Sequence, residues 1–202
     1  MDAQLADAIK AILATYPQVR QRYYEDVFVA VYDYLDSDKG IAKFKNSMKA
    51  AIGNAFVRTG EIAWEAGGGT DPIDPEVADW LVAMTDAELG YVDVLFQNLK
   101  SIRNEEGLLK FEYSTKRAEG YAATLDRIYN YIKVAAGKSI MLTFAGDDGK
   151  ESCLDCSRYK GKRHKASWWV KHNAVPPNRD FECGGYNCQH TLVDDKGQVW
   201  TL

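Results

Sequence analysis

All four cysteines and all three histidines of this 202-residue chain lie within the 38 positions from Cys153 to His190. Cys153 and Cys156 form a C-x2-C pair, and Cys183 and Cys188 form a C-x4-C pair after 26 intervening residues. Two thiolates on such a turn can reach one tetrahedral ion, and a second pair completes four-coordination, most often of zinc. The spacing predicts a structural Zn²⁺ site held by four of Cys153, Cys156, Cys183, Cys188 and His190.

The residues leave alternatives to this site open. A C-x4-C spacing is less typical than C-x2-C, and His190 is a fifth candidate donor. His164 and His172 are weaker candidates, because each is isolated in a basic segment. The cysteines could instead be reduced or disulfide-linked without metal. A redox C-x2-C pair would follow a strand and open a helix, and residues 157–161 look too short and turn-like to form one.

Catalytic chemistry would need more than these ligands. A catalytic metal requires an open coordination position and a nearby general base. Asp155, Asp180 and Glu182 are available acids, but no motif places them at such a position. The sequence contains no P-loop, no G-x-S-x-G and no G-x-G-x-x-G. We therefore expect no enzyme activity, with a metal-dependent hydrolase or nuclease that uses Asp180 or Glu182 as the minority alternative.

The predicted secondary structure changes from helices to strands at residue 138, ahead of the Cys/His segment. Before it, apolar residues recur at helical spacing and predict helices over 3–15, 18–36, 40–66, 75–103 and 107–136. Pro17 is expected to end or kink the first helix, and Asp74 with Pro75 makes a good start for the fourth.

After residue 138, "SIMLTF" predicts a short strand, and "HTLVDDKGQVWTL" predicts a hairpin. The predicted fold class is α+β, with an α-helical region at 1–138 and a small β-rich zinc-binding module at 139–202. Gly184 and Gly185 are expected to permit the tight turn between the second pair of ligands.

Composition limits the class of protein. With 46% hydrophobic and 27% charged residues, the chain is typical of a globular protein. No apolar run approaches the roughly 18 residues that span a bilayer. The N-terminus has an acid at position 2 and no basic segment, so we expect no secretory signal. In the reducing cytosol, clustered cysteines more often hold metal than form disulfides.

Charge is distributed unevenly. Residues 1–150 carry 17 basic and 23 acidic residues, whereas residues 151–202 carry 8 and 6. A run without acids supplies the candidate DNA-contacting residues Arg158, Lys160, Lys162, Arg163, Lys165 and Lys171. The same run could equally be a solvated loop around an anionic metal–thiolate centre. The nearby aromatics could stack on bases or form the core of the small module; they are Tyr159, Trp168, Trp169 and Tyr186.

The order of motifs over residues 140–195 resembles the C-terminal signature of the head morphogenesis, or minor head protein, family of tailed bacteriophages. "CLDC", "YKGKRHKASWW", "PPN" and "CGGYNCQHTLV" follow one another as in that family. The matching residues are Asp148, Cys153, Cys156, Gly161, Pro176, Pro177, Cys188 and Leu192. The departure is His190, which stands where the family commonly has the last cysteine of "CRC".

The resemblance implies a structural protein of the virion, made in the host cytoplasm and present in low copy number near the portal. It would act in head assembly, DNA packaging or DNA delivery. The implied partners are portal or capsid proteins, contacted by the helical region. Contact of the basic loop with DNA is a hypothesis that rests on its positive charge. From the sequence itself we expect no membrane partner and no small-molecule substrate. The alternative function is a zinc-ribbon nucleic-acid-binding protein.

Overall fold

The computed structural model describes residues 15–37, 40–70, 72–103, 107–146, 152–185 and 188–201. The helix predicted over 3–15 lies outside these residues, apart from Thr15. Thr15 has extended backbone and precedes helix α1, Tyr16–Asp36. Its N–H donates to the side chain of Gln18 at 2.9 Å. Pro17 lies in the first turn of α1, where the missing N–H costs no hydrogen bond.

Three long helices follow, and their bounds agree with the predicted ones to within a residue. They are α2, Ile41–Ala66; α3, Pro75–Ile102; and α4, Gly107–Ala136. The predicted start of α3 is confirmed, because the Asp74 carboxylate accepts the N–H of Glu76 at 3.1 Å. Among the described residues, no helix is long and apolar enough to cross a membrane.

A three-stranded antiparallel sheet follows the long helices, and the α+β class is therefore confirmed. Its strands are β1, Met141–Gly146; β2, Arg163–Lys165; and β3, His190–Asp194. The strand order is β2-β1-β3, so β1 is the central strand. In the register, Thr143 of β1 lies opposite Arg163 on one side and Val193 on the other. The second arm of the predicted hairpin pairs through one bridge, Val193 with Val199.

Two short helices lie in the Cys/His segment, α5 at Leu154–Tyr159 and α6 at Ala166–Lys171. The expectation that residues 157–161 form no helix is therefore wrong for Ser157–Tyr159. The first turn of α5 is stabilised by Cys153, whose sulfur accepts the N–H of Cys156 at 3.4 Å. Because a helix does begin after Cys153, the local structure does not argue against a redox role for the C-x2-C pair. The positions of Cys183 and Cys188 are the further evidence on its role.

The chain divides into two compact units. The first contains the described residues up to Thr59 together with Val82–Leu125. The second contains Gly60–Leu81 and the chain from Asp126 onward. The second unit thus combines the small sheet with end segments of α2, α3 and α4. The predicted boundary at residue 138 stays a prediction.

The first unit is held together by an apolar and aromatic core. Tyr23 packs edge-on against Phe56 and Tyr121. Tyr34 contacts Phe44 and Phe96. These rings are buried, and their mutual contacts stabilise the core of the unit.

The core of the second unit lies between the small sheet and the end of α4. Trp169 is fully buried and donates its indole N–H to the carbonyl of Leu142 at 3.1 Å. Asn130 of α4 donates to the carbonyl of Pro176 at 3.2 Å. The buried members of this core are Val134, Leu142, Phe144, Cys156, Ala166, Trp169, Ala174, Val175, Phe181, Leu192 and Trp200.

Candidate metal centre

The structure brings all five predicted ligands into one place. Cys153 precedes α5 and Cys156 lies within it. Cys183 lies in the turn that follows Phe181, and Cys188 lies two residues before the start of β3 at His190. The two cysteine pairs therefore come from a helix start and from a loop that returns to the sheet.

Two hydrogen bonds fasten these segments to each other. The N–H of Leu154 donates to the carboxylate of Glu182 at 2.8 Å. The N–H of Glu182 in turn donates to the carboxylate of Asp155 at 2.8 Å. Sequence reasoning missed this role, although a signal exists: an acid immediately precedes Cys156 and Cys183. Both carboxylates are engaged in holding the cluster together.

The loop between Cys183 and Cys188 needs its two glycines. Gly184 and Gly185 have φ values of 60° and 73°, a region that side chains with a Cβ rarely adopt. A Cβ on Gly185 would also lie 3.1 Å from the carbonyl oxygen of Asn178. The expected turn geometry is confirmed.

The donor atoms form two groups that share Cys156. The sulfurs of Cys153, Cys156 and Cys183 lie within 4.8 Å of one another, as do the donor atoms of Cys156, Cys188 and His190. Sulfurs bound to one tetrahedral zinc ion are about 3.8 Å apart, given bonds of about 2.3 Å. The five residues therefore lie close enough to bind a metal ion.

Burial and mutual proximity alter the acidity of these thiols. Burial is the main cause that raises the pKa of Cys156, and the charges of the other cysteines add to it. Burial also raises the pKa of Cys183. At Cys153 burial acts in the same direction, but hydrogen bonds from Cys156 and Cys183 outweigh it and lower the pKa. A cation would relieve the repulsion among the thiolates and displace their protons.

The two histidines of the basic segment are not grouped with the cysteines but stack on a tryptophan. His164 and His172 stack on the indole of Trp168, with ring centroids 3.8 and 3.9 Å away. Two parallel rings this close to one centroid must lie on opposite faces. Trp168 thus has neither face open to a base, and Trp169 is buried. Tyr159 is stacked on Phe181, and Tyr186 lies outside the described residues.

The six candidate DNA-contacting residues are all exposed: Arg158, Lys160, Lys162, Arg163, Lys165 and Lys171. They belong to α5, β2, α6 and the adjoining turns. The guanidinium of Arg163 is engaged, because it donates to the carboxylate of Asp195 at 2.9 Å and forms an ion pair with it. The surface is basic, but part of its charge is neutralised.

The remaining predicted acids take structural positions or lie outside the described residues. Asp180 accepts a hydrogen bond from the side chain of Asn173 at 2.6 Å, and its own N–H donates to Asn178 at 2.9 Å. Asp148, which matches the phage signature, lies outside the described residues.

The fold and the cluster define an α+β protein with a small cysteine-rich module that could bind a metal ion. Comparisons with protein-family models, with curated proteins and with solved structures found no match.

Proposed function

We propose that this protein is a minor head protein of a tailed bacteriophage, with a structural role in capsid assembly, DNA packaging or DNA delivery near the portal. The observation that carries the proposal is the convergence of Cys153, Cys156, Cys183 and Cys188 beside the small sheet. This is the segment whose motifs resemble the minor head protein signature.

The metal of this module is a structural zinc ion. Thiolate and imidazole donors in a group of four or five suit zinc, and a closed set of protein ligands suits a structural site. When bound, the ion ties the start of α5 to the loop before β3. The acids nearest the cluster support a structural role, because Asp155 and Glu182 already accept backbone N–H groups.

The partner surface belongs to the helical part of the chain, and the partner is the portal or the capsid. Several large apolar side chains are exposed on the long helices: Val29, Val57, Val82, Tyr91, Val94 and Phe111. Such residues suit a protein that is completed by a partner, although single exposed apolar residues are also ordinary.

The zinc-ribbon nucleic-acid-binding alternative has less support. Its basic residues are exposed, but base stacking would need open aromatic faces, and Trp168 and Trp169 offer none. Contact with DNA phosphates alone remains part of the proposal, since phosphate contact needs only accessible cations.

Association with the portal tests the proposed function. The chain is co-expressed with the portal protein encoded in the same genome, and the complex is sought by size-exclusion chromatography and in purified procapsids. We expect co-elution and incorporation at low copy number. A chain encoded away from portal and capsid genes, and absent from procapsids, would contradict the proposal.

A further inference from the structure

The four cysteine sulfurs can carry out a second kind of chemistry, because neighbouring thiols can be oxidised to disulfides. All four cysteines have free thiols in the structure. We propose that the cluster is also an oxidation site for peroxides, at which two disulfides form. One joins Cys153 to Cys183, and the other joins Cys156 to Cys188. The disulfides then replace the metal as the crosslink of the module. That replacement rests on the zinc site proposed above, whereas the pairing of the cysteines does not.

The grouping of the sulfurs selects this pairing. Cys156 belongs to both donor groups, so its sulfur lies within 4.8 Å of each of the other three. Cys153 and Cys183 share one group, whereas Cys188 is grouped with neither of them among the described residues. If Cys156 bonded to either of those two, Cys188 would be left with a more distant partner. Cys156 therefore pairs with Cys188, and the other two sulfurs pair with each other.

The backbone holds Cys153 and Cys183 beside each other. Leu154 follows Cys153, and its N–H donates to the carboxylate of Glu182 at 2.8 Å. Glu182 directly precedes Cys183. A disulfide bond is about 2.0 Å long, so sulfurs that already lie within 4.8 Å of each other need only a short approach. The bond can thus form without separating the two segments.

The sheet fixes the other side of the cluster. His190 follows Cys188 by two residues, begins β3 and pairs with Gly146 of β1. A Cβ on Gly146 would clash with the His190 ring, so the ring rests against the β1 backbone. Nε2 of this ring lies 3.2 Å from the hydroxyl of Ser152, the residue before Cys153. These contacts keep the sulfurs in place while oxidation proceeds in the folded module.

Each disulfide forms in two steps that consume one molecule of hydrogen peroxide. One cysteine sulfur attacks a peroxide oxygen, the O–O bond breaks, and a sulfenic acid and water form. The second sulfur then attacks the sulfenic sulfur, the S–O bond breaks, and a second water leaves. Two peroxides therefore take four electrons from the four thiols. Cys156 is buried and acts as the second sulfur, whereas the other three cysteines are partly exposed and can meet the peroxide.

The proposed disulfides join separate parts of the module. Each closes a loop of about 30 residues and ties α5 to the segment before β3, as the metal would. Local disulfides, within the C-x2-C pair or within the C-x4-C pair, would close loops of a few residues and connect neither segment to the other. The oxidised module should therefore stay folded after the metal has left.

The full-length protein, purified under reducing conditions and treated with hydrogen peroxide, tests the pairing. Remaining thiols are alkylated, and the chain is cut before Asp155 by Asp-N protease and after Tyr186 by chymotrypsin, so that each cysteine lies in its own peptide. We expect the number of free thiols to fall from four to zero, both proposed links to appear by mass spectrometry, and dithiothreitol to reverse them. Any other pairing, or oxidation to sulfinic acid without disulfides, would overturn the inference.

Zinc content and hydrogen exchange separate the inference from the zinc site. A zinc-loaded sample should release its metal as the disulfides form, while the sheet keeps its protection from exchange. A chain that forms both links but binds no zinc would overturn the zinc site and support the inference. A zinc-loaded chain that forms local disulfides would overturn the inference and leave the zinc site standing. The portal experiment tests the phage role separately.

Cys153→Ser gives a second readout through the thiol that is left over. With the proposed pairing, Cys156 still joins Cys188, and Cys183 stays free to be alkylated. With local pairing, Cys183 would join Cys188 and Cys156 would stay free, which would overturn the inference. Cys183→Ser is the matched variant, and Cys153 is its expected free thiol. Where a serine variant does not fold, the disulfide map of the wild-type protein decides.

Discussion

The helical first unit and the small sheet of the second unit are stabilised in different ways. In the first unit, long helices bury whole faces, and residues such as Tyr23, Met48, Phe56 and Leu99 have almost no exposed surface. In the sheet, the strands have six, three and five residues, and the helices beside them have six each. Elements this short bury too little apolar area to be stable alone.

The sheet compensates with polar and sulfur contacts. The N–H of Leu154 donates to the carboxylate of Glu182, and the N–H of Glu182 donates to the carboxylate of Asp155. The indole N–H of Trp169 donates to the carbonyl of Leu142. All four cysteines of the chain lie in the second unit, and the first unit contains none. In this chain, the Cys- and His-rich segment therefore coincides with the part of the fold whose elements are too short to form a large apolar core.

The largest expected effect is the loss of the metal site. Cys156 is 1% exposed and belongs to both donor groups, so Cys156→Ser removes the donor they share. If the site holds one zinc ion as proposed, the zinc content of this variant should fall to near zero. Structural zinc supplies on the order of 10–16 kcal/mol in zinc-finger peptides, so residues 141–201 should lose hydrogen-exchange protection. Helix α1 should keep its protection, which mass spectrometry can measure separately.

Leu154→Ser is the matched control for this variant. Leu154 is 77% exposed on the same helix, and its backbone N–H remains available to Glu182. We expect unchanged zinc content and protection. Equal protection of the sheet in Cys156→Ser and in wild type would show that the metal does not hold the module.

Each region contains a glycine whose replacement by alanine should change stability, and the larger change is expected at Gly146. In Gly146→Ala the new methyl group would lie 2.2 Å from the His190 ring. We expect a loss of about 1–3 kcal/mol from overpacking, measured by denaturant unfolding of the zinc-loaded protein. The ring should move away from Ser152. An unchanged free energy of unfolding would mean that β1 does not hold the ring in place.

Replacing Gly120 by alanine should raise the free energy of unfolding, whereas the Gly146 substitution should lower it. Gly120 is exposed in the interior of α4, and a Cβ there would meet nothing within 4 Å. Gly120→Ala should stabilise the protein by about 0.5–1 kcal/mol, because the unfolded chain loses conformational freedom and the helix gains a better helix former. Denaturant unfolding under identical conditions is the measurement. A destabilised Gly120→Ala variant would mean that this stretch of α4 is not an ordinary exposed helix.

The long helices could be predicted from the sequence because each has its own local signals. Helix α4 runs from Gly107 to Ala136, as the apolar spacing predicts. The six-residue helices α5 and α6 could not be predicted, because fewer than two turns show no measurable period. Helix α6 is fixed instead by tertiary contacts, above all the burial of Trp169.

The sequence predicted the donor residues of the candidate site but not the residues that contact them. Spacing alone identifies the four cysteines and His190, because metal ligands are rare residue types. The contacts of Ser152 and Gly146 with His190 depend on how β3 returns beside β1, and the spacing does not encode that register. The closure of both faces of Trp168 was likewise hidden, although His164 and His172 stand four residues before and after it.

The smallest expected effect concerns charge and tests the DNA contact. Lys165 is exposed in β2 of the basic segment, and Lys116 is exposed on α4 of the first unit. If Lys165 neutralises one phosphate, Lys165→Ala should reduce the slope of log binding constant against log salt concentration by about 0.9. The slope comes from duplex retardation measured between low and moderate salt. Lys116→Ala should leave it unchanged.

Duplex DNA that is not retarded even at low ionic strength would remove DNA from the partners of this surface. Equal slopes for the two lysine variants would instead assign the retardation to overall charge. Trp168→Ala separates phosphate contact from base stacking. Because His164 and His172 cover both faces of this indole, its removal should not selectively weaken binding to single strands. A selective loss of single-strand binding would mean that the histidine–tryptophan stack opens to admit a base. That result would favour the zinc-ribbon nucleic-acid-binding alternative.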